Sequence, residues 1–325
     1  MSWRHGVQGH PLLMVRAALR WFATLAVLVL FSAVGAFCLE LLVPGDPAAT
    51  LLASQLGRQP TPEQLAAKRA ELGLDHPFLI RLWHWLAGAW HGNFGRSWAT
   101  PGNVGALIWP RIAATARLGF VALTVALVLA LAGGIGAALF RERLLDRVLR
   151  LLAAVLACVP AFVLGVLVIQ FVIVREGIGR VLADGSFQAA LLPGTLLGVA
   201  IASGWIRPVR AIALDVLSSG TVRTARARGA TWPVIVRAHV LRTVLVEFLP
   251  FVAIGVGSIL GATVVVEVVF SWPGVGAFAA DAALHRDMPV LAAFVLLSVI
   301  AFRLGKDSMR AVGWMLDPRR RSRAA

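Results

Sequence analysis

The chain has 325 residues, of which 59% are hydrophobic and 14% charged, with a formal net charge of +15 and a mean hydropathy of +0.81. Soluble domains carry about 25% charged residues, and a core built from this many residues cannot bury so much apolar surface, so lipid is the expected solvent. The arginines lie between apolar runs rather than on one basic face, which excludes nucleic acid as a partner and reads instead as a topology signal.

Residues 1–20 form a basic N-terminal segment with Arg4, Arg16 and Arg20 and no acid. The first apolar window, 21–43, exceeds the usual signal-peptide core, and no small-x-small site follows it cleanly. It is therefore expected to be an uncleaved membrane anchor. Residues 44–114 follow as a folded outside loop, periplasmic or extracellular. Pro44-Gly-Asp-Pro47 is a turn signal. Thr61-Pro62-Glu63 reads as an N-cap with proline at the first helical position. Trp85, Trp90, Trp98 and Trp109 suit a membrane–water interface.

Residues 115–305 contain five more apolar windows: 115–139, 150–174, 188–206, 244–270 and 288–304. About 20 residues of helix cross a hydrocarbon core, so the expected fold is an all-α polytopic membrane protein with six transmembrane helices. Arg303, Lys306 and Asp307 interrupt the last window, and its helix is expected to continue past them into a basic tail, 306–325. Four arginines stand against two acids in 141–150, and seven against Asp215 alone in 207–243. With the first segment and the tail, these fall on one side of a six-span arrangement. Both termini and residues 207–243 are then cytoplasmic.

Chemistry is sparse. The only lysines are Lys68 and Lys306, and Gly305-Lys306 is followed by Asp307, so no Walker A loop exists here. The histidines show no metal-ligand spacing, and Cys38 and Cys158 read as small core hydrophobes. Covalent catalysis, a bound metal and a bound cofactor are not expected. Glu40, Glu247 and Glu267 lie near span ends, where carboxylates can snorkel to water. Gln170 is the one strongly polar side chain deep in a span, and it either lines a pathway or bridges two helices. A secondary carrier or channel is the alternative class for such a chain.

The most informative stretch is Val222-Arg-Thr-Ala-Arg-Ala-Arg-Gly229 and its continuation through Thr231, Pro233, His239 and Arg242. The chain reads as helix from Arg207, then as a left-handed C′ glycine at Gly229, then as a second helix capped by Thr231 with Pro233 in its first turn. Pro250 is expected to kink the span that follows. This basic hairpin resembles the signature cytoplasmic loop of ABC-importer permeases, in the variant of dipeptide and oligopeptide B-type subunits. Further matches follow in the family's order: Pro44-Gly-Asp-Pro47, Leu72-Gly-Leu-Asp-His-Pro77, Gly92-Asn-Phe-Gly-Arg-Ser97, Pro160-Ala-Phe162 with Gly165, Leu192-Pro193, Glu267-Val-Val-Phe-Ser-Trp-Pro-Gly-Val-Gly276 and Arg286-Asp-Met-Pro289. Departures include Gly220-Thr221 before the signature, Thr243 after Arg242, Met288 and Ala113.

The resemblance implies a type I ABC importer permease, one half of a pore in the bacterial inner membrane. Its implied partners are membrane lipid, a second related permease, two ABC ATPases that use ATP and Mg, and a periplasmic or lipid-anchored substrate-binding protein. It places ATPase coupling on Arg223, Thr224, Ala225, Arg226, Ala227, Arg228, Gly229 and His239. It places the outer mouth and binding-protein side at Glu267, Phe270, Pro273, Gly274, Gly276 and Asp287. The implied substrate is a di- or oligopeptide, with nickel or a metal–chelator complex, and glutathione, as alternatives within the family.

Overall fold

The computed structural model describes residues 11–42, 45–177 and 184–316. The expectations for Arg4, Pro44, the arginines at 319–323 and the side chain of Glu40 lie outside what it describes. Regular structure among the described residues is helical, with one isolated antiparallel bridge between Arg96 and Asn103.

Among the described residues, five helices are long and apolar enough to cross a membrane: Leu19–Cys38 within α1 (Pro11–Leu42), α5 (Val104–Leu139), α8 (Phe187–Ser218), the helix Trp232–Val269, and α13 (Met288–Leu316). The third window, 150–174, differs from a simple span. It is built from α6 (Leu144–Cys158) and α7 (Ala161–Val168), the latter continued by a π-helical stretch, Ile169–Arg175, with a 94° bend between the halves. Pro160 supplies no N–H and forces Val159 out of the helical region, to φ −92° and ψ 119°. Cys158, at that break, is exposed rather than a core residue. Pro110, Pro193, Pro208 and Pro250 lie inside helices that continue through them.

The described residues divide into two compact units, one made of those up to 110 with 278–304 and the other of 111–277 with those from 305 onward. In the first, Asp46 caps α2 (Pro47–Leu56) by accepting from the Ala48 N–H at 3.0 Å, and its other oxygen pairs with Arg69 at 2.8 Å. Arg69 belongs to α3 (Pro62–Glu71), which begins as expected. Thr61 and Gln64 form a full capping box, and Pro62 occupies the first turn. In α4 (Phe78–Trp90), Trp85 is buried against Phe37 and Phe94 and donates to the Phe94 carbonyl at 3.2 Å. It is therefore a core residue, not an interfacial one. Trp90 and Trp109 are exposed.

The second unit is organised on α8, which packs against α5 through glycines. Gly194-Thr-Leu-Leu-Gly198 is a small-xxx-small pattern, and a Cβ on Gly198 would stand 2.7 Å from the Ala122 carbonyl oxygen and from Val125. Gly134 on α5 receives Val209 in the same way. The ring of Trp205 lies directly over Gly255 of α11 (Arg242–Val269). Near one end of α8, Arg210 grips the fully buried Asp146 of α6 with two 2.8 Å bonds. Gly198→Val should lower the thermal stability of the detergent-solubilised protein by about 1–3 kcal/mol, the usual cost of overpacking. Gly204→Ala should be nearly silent, because a Cβ there meets nothing within 4 Å. Thermal unfolding of the two variants side by side checks both.

Candidate functional site

The basic hairpin begins where α8 ends. Ser219 leaves helical geometry (φ −67°, ψ 154°), and its side chain accepts from the Val222 N–H, starting α9 (Gly220–Ala227). This break was not expected from the sequence, which reads as one helix from Arg207 to Gly229. The cause is a serine N-cap followed by a glycine, which together offer the backbone a stop and a restart. Helix α9 closes in a Schellman turn. The Ala230 N–H donates to the Ala225 carbonyl at 3.0 Å and the Gly229 N–H to the Arg226 carbonyl at 2.9 Å, with Gly229 at φ +84°. Thr231 then takes the N-cap position of α10 (Trp232–Ile235), with Pro233 in the first turn, but its hydroxyl makes no capping bond. A π-helical stretch, Val236–Leu241, carries half-buried His239 into α11. Such i→i+5 segments are rare and recur at functional sites.

One side of the hairpin is built into the protein. Val222, Ile235, Val240 and Val244 are buried in a single apolar cluster with Ala126, Ala130, Trp205 and Val209 of α5 and α8. Ala225 is half-buried and packs against that cluster, supporting the hairpin from below. Arg223, Thr224, Ala227, Arg228 and Gly229 form the exposed side. Arg226 is exposed but not free: its guanidinium stacks on the Trp232 ring at 3.9 Å and clamps α9 to α10. Trp232 was missed at the sequence level, and its signal was an aromatic six positions after an arginine across a glycine turn. Ser219 and Val222 were also missed as parts of the hairpin's mount.

Glu267 does not snorkel. It is fully buried near the end of α11, with Thr115 Oγ1 donating to one carboxylate oxygen at 2.6 Å and the Ala277 N–H to the other at 2.9 Å. Thr115 in turn accepts from the Val275 N–H at 2.9 Å. This network holds the turn 270–274 between α11 and α12 (Val275–Leu284) against α5. Phe270 is buried in the apolar cluster of Leu118, Leu197 and Trp272, while Pro273 is exposed. Gly274 and Gly276 are glycines for space and not for an unusual φ. A Cβ on Gly274 would overlap the Glu267 carboxyl, and one on Gly276 would stand 2.8 Å from the Val264 Cα.

Asp287 sits in the other unit, and its buried carboxylate collects Ser97 Oγ and the N–H groups of Trp98 (3.1 Å), Ala99 (3.2 Å) and Val290 (3.4 Å). It thereby joins the loop after Gly92 to the start of α13. The side chain of neighbouring Arg286 reaches Gly45, so three motifs distant in sequence meet in this unit. Gln170 is exposed in the π-helical stretch after α7. Glu247 is exposed on α11, as expected for a carboxylate near a span end.

Two consequences are testable. Gly274→Val must displace the Glu267 carboxyl or its own turn, so it should lower thermal stability by about 1–3 kcal/mol and reduce transport. Trp232→Ala should cost only about 0.5–1 kcal/mol, since the lost cation–π contact is at an exposed site. Melting curves of the purified variants, with wild-type protein alongside, measure both.

Residues 129–322 match the family described as "Binding-protein-dependent transport system inner membrane component", and residues 14–117 match "Binding-prot-dependent transport system membrane comp, N-term". The glutathione transport system permease protein GsiC of Salmonella typhi is 36% identical over 276 residues, covering 85% of this chain and 89% of that protein. Its counterpart of the same name in Escherichia coli strain K12 is 35% identical over 263 residues, covering 81% and 85%. A helical protein with six apolar segments, a basic hairpin mounted on its core and this extent of likeness belongs to that family: it is an inner-membrane permease component of a binding-protein-dependent ABC importer.

Proposed function

We propose that this chain forms one half of a pore that imports small peptides, working by alternating access. A second related permease would complete the pore, and two ATPase subunits, which bind the ATP and Mg, would dock on the hairpin. A binding protein would deliver substrate to the opposite face. This chain itself would bind no nucleotide and make or break no covalent bond. Glutathione is itself a small peptide, and two relatives carry it in their names, so it is the first substrate to try, ahead of ordinary dipeptides.

The observation that carries this reading is the two-sided hairpin. Its exposed side offers Arg223, Thr224, Ala227 and Arg228, and its inner side is locked into α5, α8 and α11. A push on such an element moves the spans with it. Rim-exposed ion pairs are worth only about 0.2–1 kcal/mol each, so the shape set by Gly229 matters more than charge. At φ +84° a β-branched residue costs about 1–2 kcal/mol or more, while the space around a Cβ there is empty. Gly229→Val should therefore leave the complex assembled, yet cut uptake and binding-protein-stimulated ATP hydrolysis by roughly fivefold or more, the scale of ordinary coupling free energies. Wild-type values for both in that variant would overturn the coupling role.

Orientation follows from the arginine count, with residues 44–114 outside and the hairpin and both termini inside. In a background with Cys38 and Cys158 replaced, Glu63→Cys should react with an impermeant thiol reagent on intact cells, and Ser218→Cys should react only after lysis. Labelling of position 218 alone on intact cells would invert the arrangement.

A further inference from the structure

We propose that the second unit carries a binding site for an anionic phospholipid, with one acyl chain seated in a cleft between α5, α6 and α8 and the headgroup held at the basic α5–α6 turn. The cleft has a volume of about 450 Å³ and an almost wholly apolar lining, including Leu145, Leu149 and Leu156 of α6, Gly133 and Gly136 of α5, and Ile206 of α8. Its one hydroxyl, Ser203, donates to the Ala200 carbonyl of its own helix at 2.6 Å. No hydrogen-bonding demand is therefore left for a polar ligand inside. From Leu145 to Leu156 the groove runs about 16 Å at 1.5 Å per helical residue. A groove of this length with so apolar a lining suits a single hydrocarbon chain.

Charge selects the headgroup. The Leu145 end of the groove adjoins the turn from Arg141 to Arg150 and the part of α8 that carries Arg207 and Arg210. Six arginines stand there against Glu142 and Asp146. Arg210 and Arg150 pair with Asp146, and Arg141 pairs with Glu142. Exposed Arg143 and Arg207 make no ion pair among the described residues. Basic side chains at the end of an apolar interhelical groove are the arrangement that holds anionic lipid headgroups. Binding here draws on none of the residues assigned to coupling or to the Glu267 network.

Native mass spectrometry of the full chain, purified in maltoside detergent and titrated with dioleoyl phosphatidylglycerol or dioleoyl phosphatidylcholine, tests the site. Gly136→Phe places a ring at a groove-lining position whose Cβ meets nothing within 4 Å. Phosphatidylglycerol should bind wild-type protein in preference to phosphatidylcholine. Gly136→Phe should weaken both lipids by roughly tenfold or more, since several buried methylenes are lost. The exposed double variant Arg143→Gln/Arg207→Gln, which leaves the groove intact, should weaken phosphatidylglycerol alone by roughly tenfold. Equal binding of the two lipids by wild-type protein overturns the headgroup assignment. Unchanged lipid binding by Gly136→Phe, whether or not a partner permease is lost from the preparation, overturns the groove.

Discussion

The close approach of α8 to its neighbours is the constraint on which the second unit depends. Between helices in lipid there is no hydrophobic drive, so association rests on contact area and a few buried polar bonds. Gly194 and Gly198 let α8 meet the backbone of α5, Gly134 admits Val209 from the other side, and Gly255 makes a seat for the Trp205 ring. Asp146 and Arg210 add one bidentate ion pair that ties α6 to the same helix. The hairpin leaves from the end of α8, so its position is set by these contacts before any of its own residues act.

Buried carboxylates mark the irregular points of the fold. Asp146, Glu267 and Asp287 are each almost completely buried. Each lies beside one of the three non-glycine residues with a left-handed backbone among those described: Glu142, Ser271 and Arg286. Left-handed geometry costs a residue with a Cβ about 1–2 kcal/mol, and a turn that breaks a helix exposes N–H groups that lipid cannot satisfy. The carboxylates answer that need. Asp146 accepts from the Glu142 N–H, Glu267 from Ala277, and Asp287 from Trp98, Ala99 and Val290. Removing any of them would leave buried donors without an acceptor and free a strained turn at once.

Much of this was legible in the sequence because it rests on local chemistry. The apolar windows, the Thr61 capping box and the left-handed Gly229 all follow from periodicity and from what a single residue type permits. The failures come where distant residues decide. Trp85 reads as an interfacial indole, yet Phe37 and Phe94 close over it. Glu267 reads as a snorkelling carboxylate, but Thr115, 152 residues away, and the Ala277 N–H satisfy it in the interior. The bend at Pro160 is different, since its signal was local and lost within an apolar run long enough to pass for one span.

The hairpin joins these levels. The proposed coupling role asks for stiffness where the loop meets its own protein and accessibility where it meets another, and the stretch from Val222 to Val240 combines the two. Stiffness comes from Val222, Ile235 and Val240 in the core, the Arg226–Trp232 clamp and the Schellman turn. Accessibility comes from small or charged side chains at Arg223, Ala227 and Arg228. The break at Ser219 is what makes the two compatible. It starts α9 afresh at the end of α8, and Val222, three residues on, is buried in the cluster that α5, α8 and α11 share.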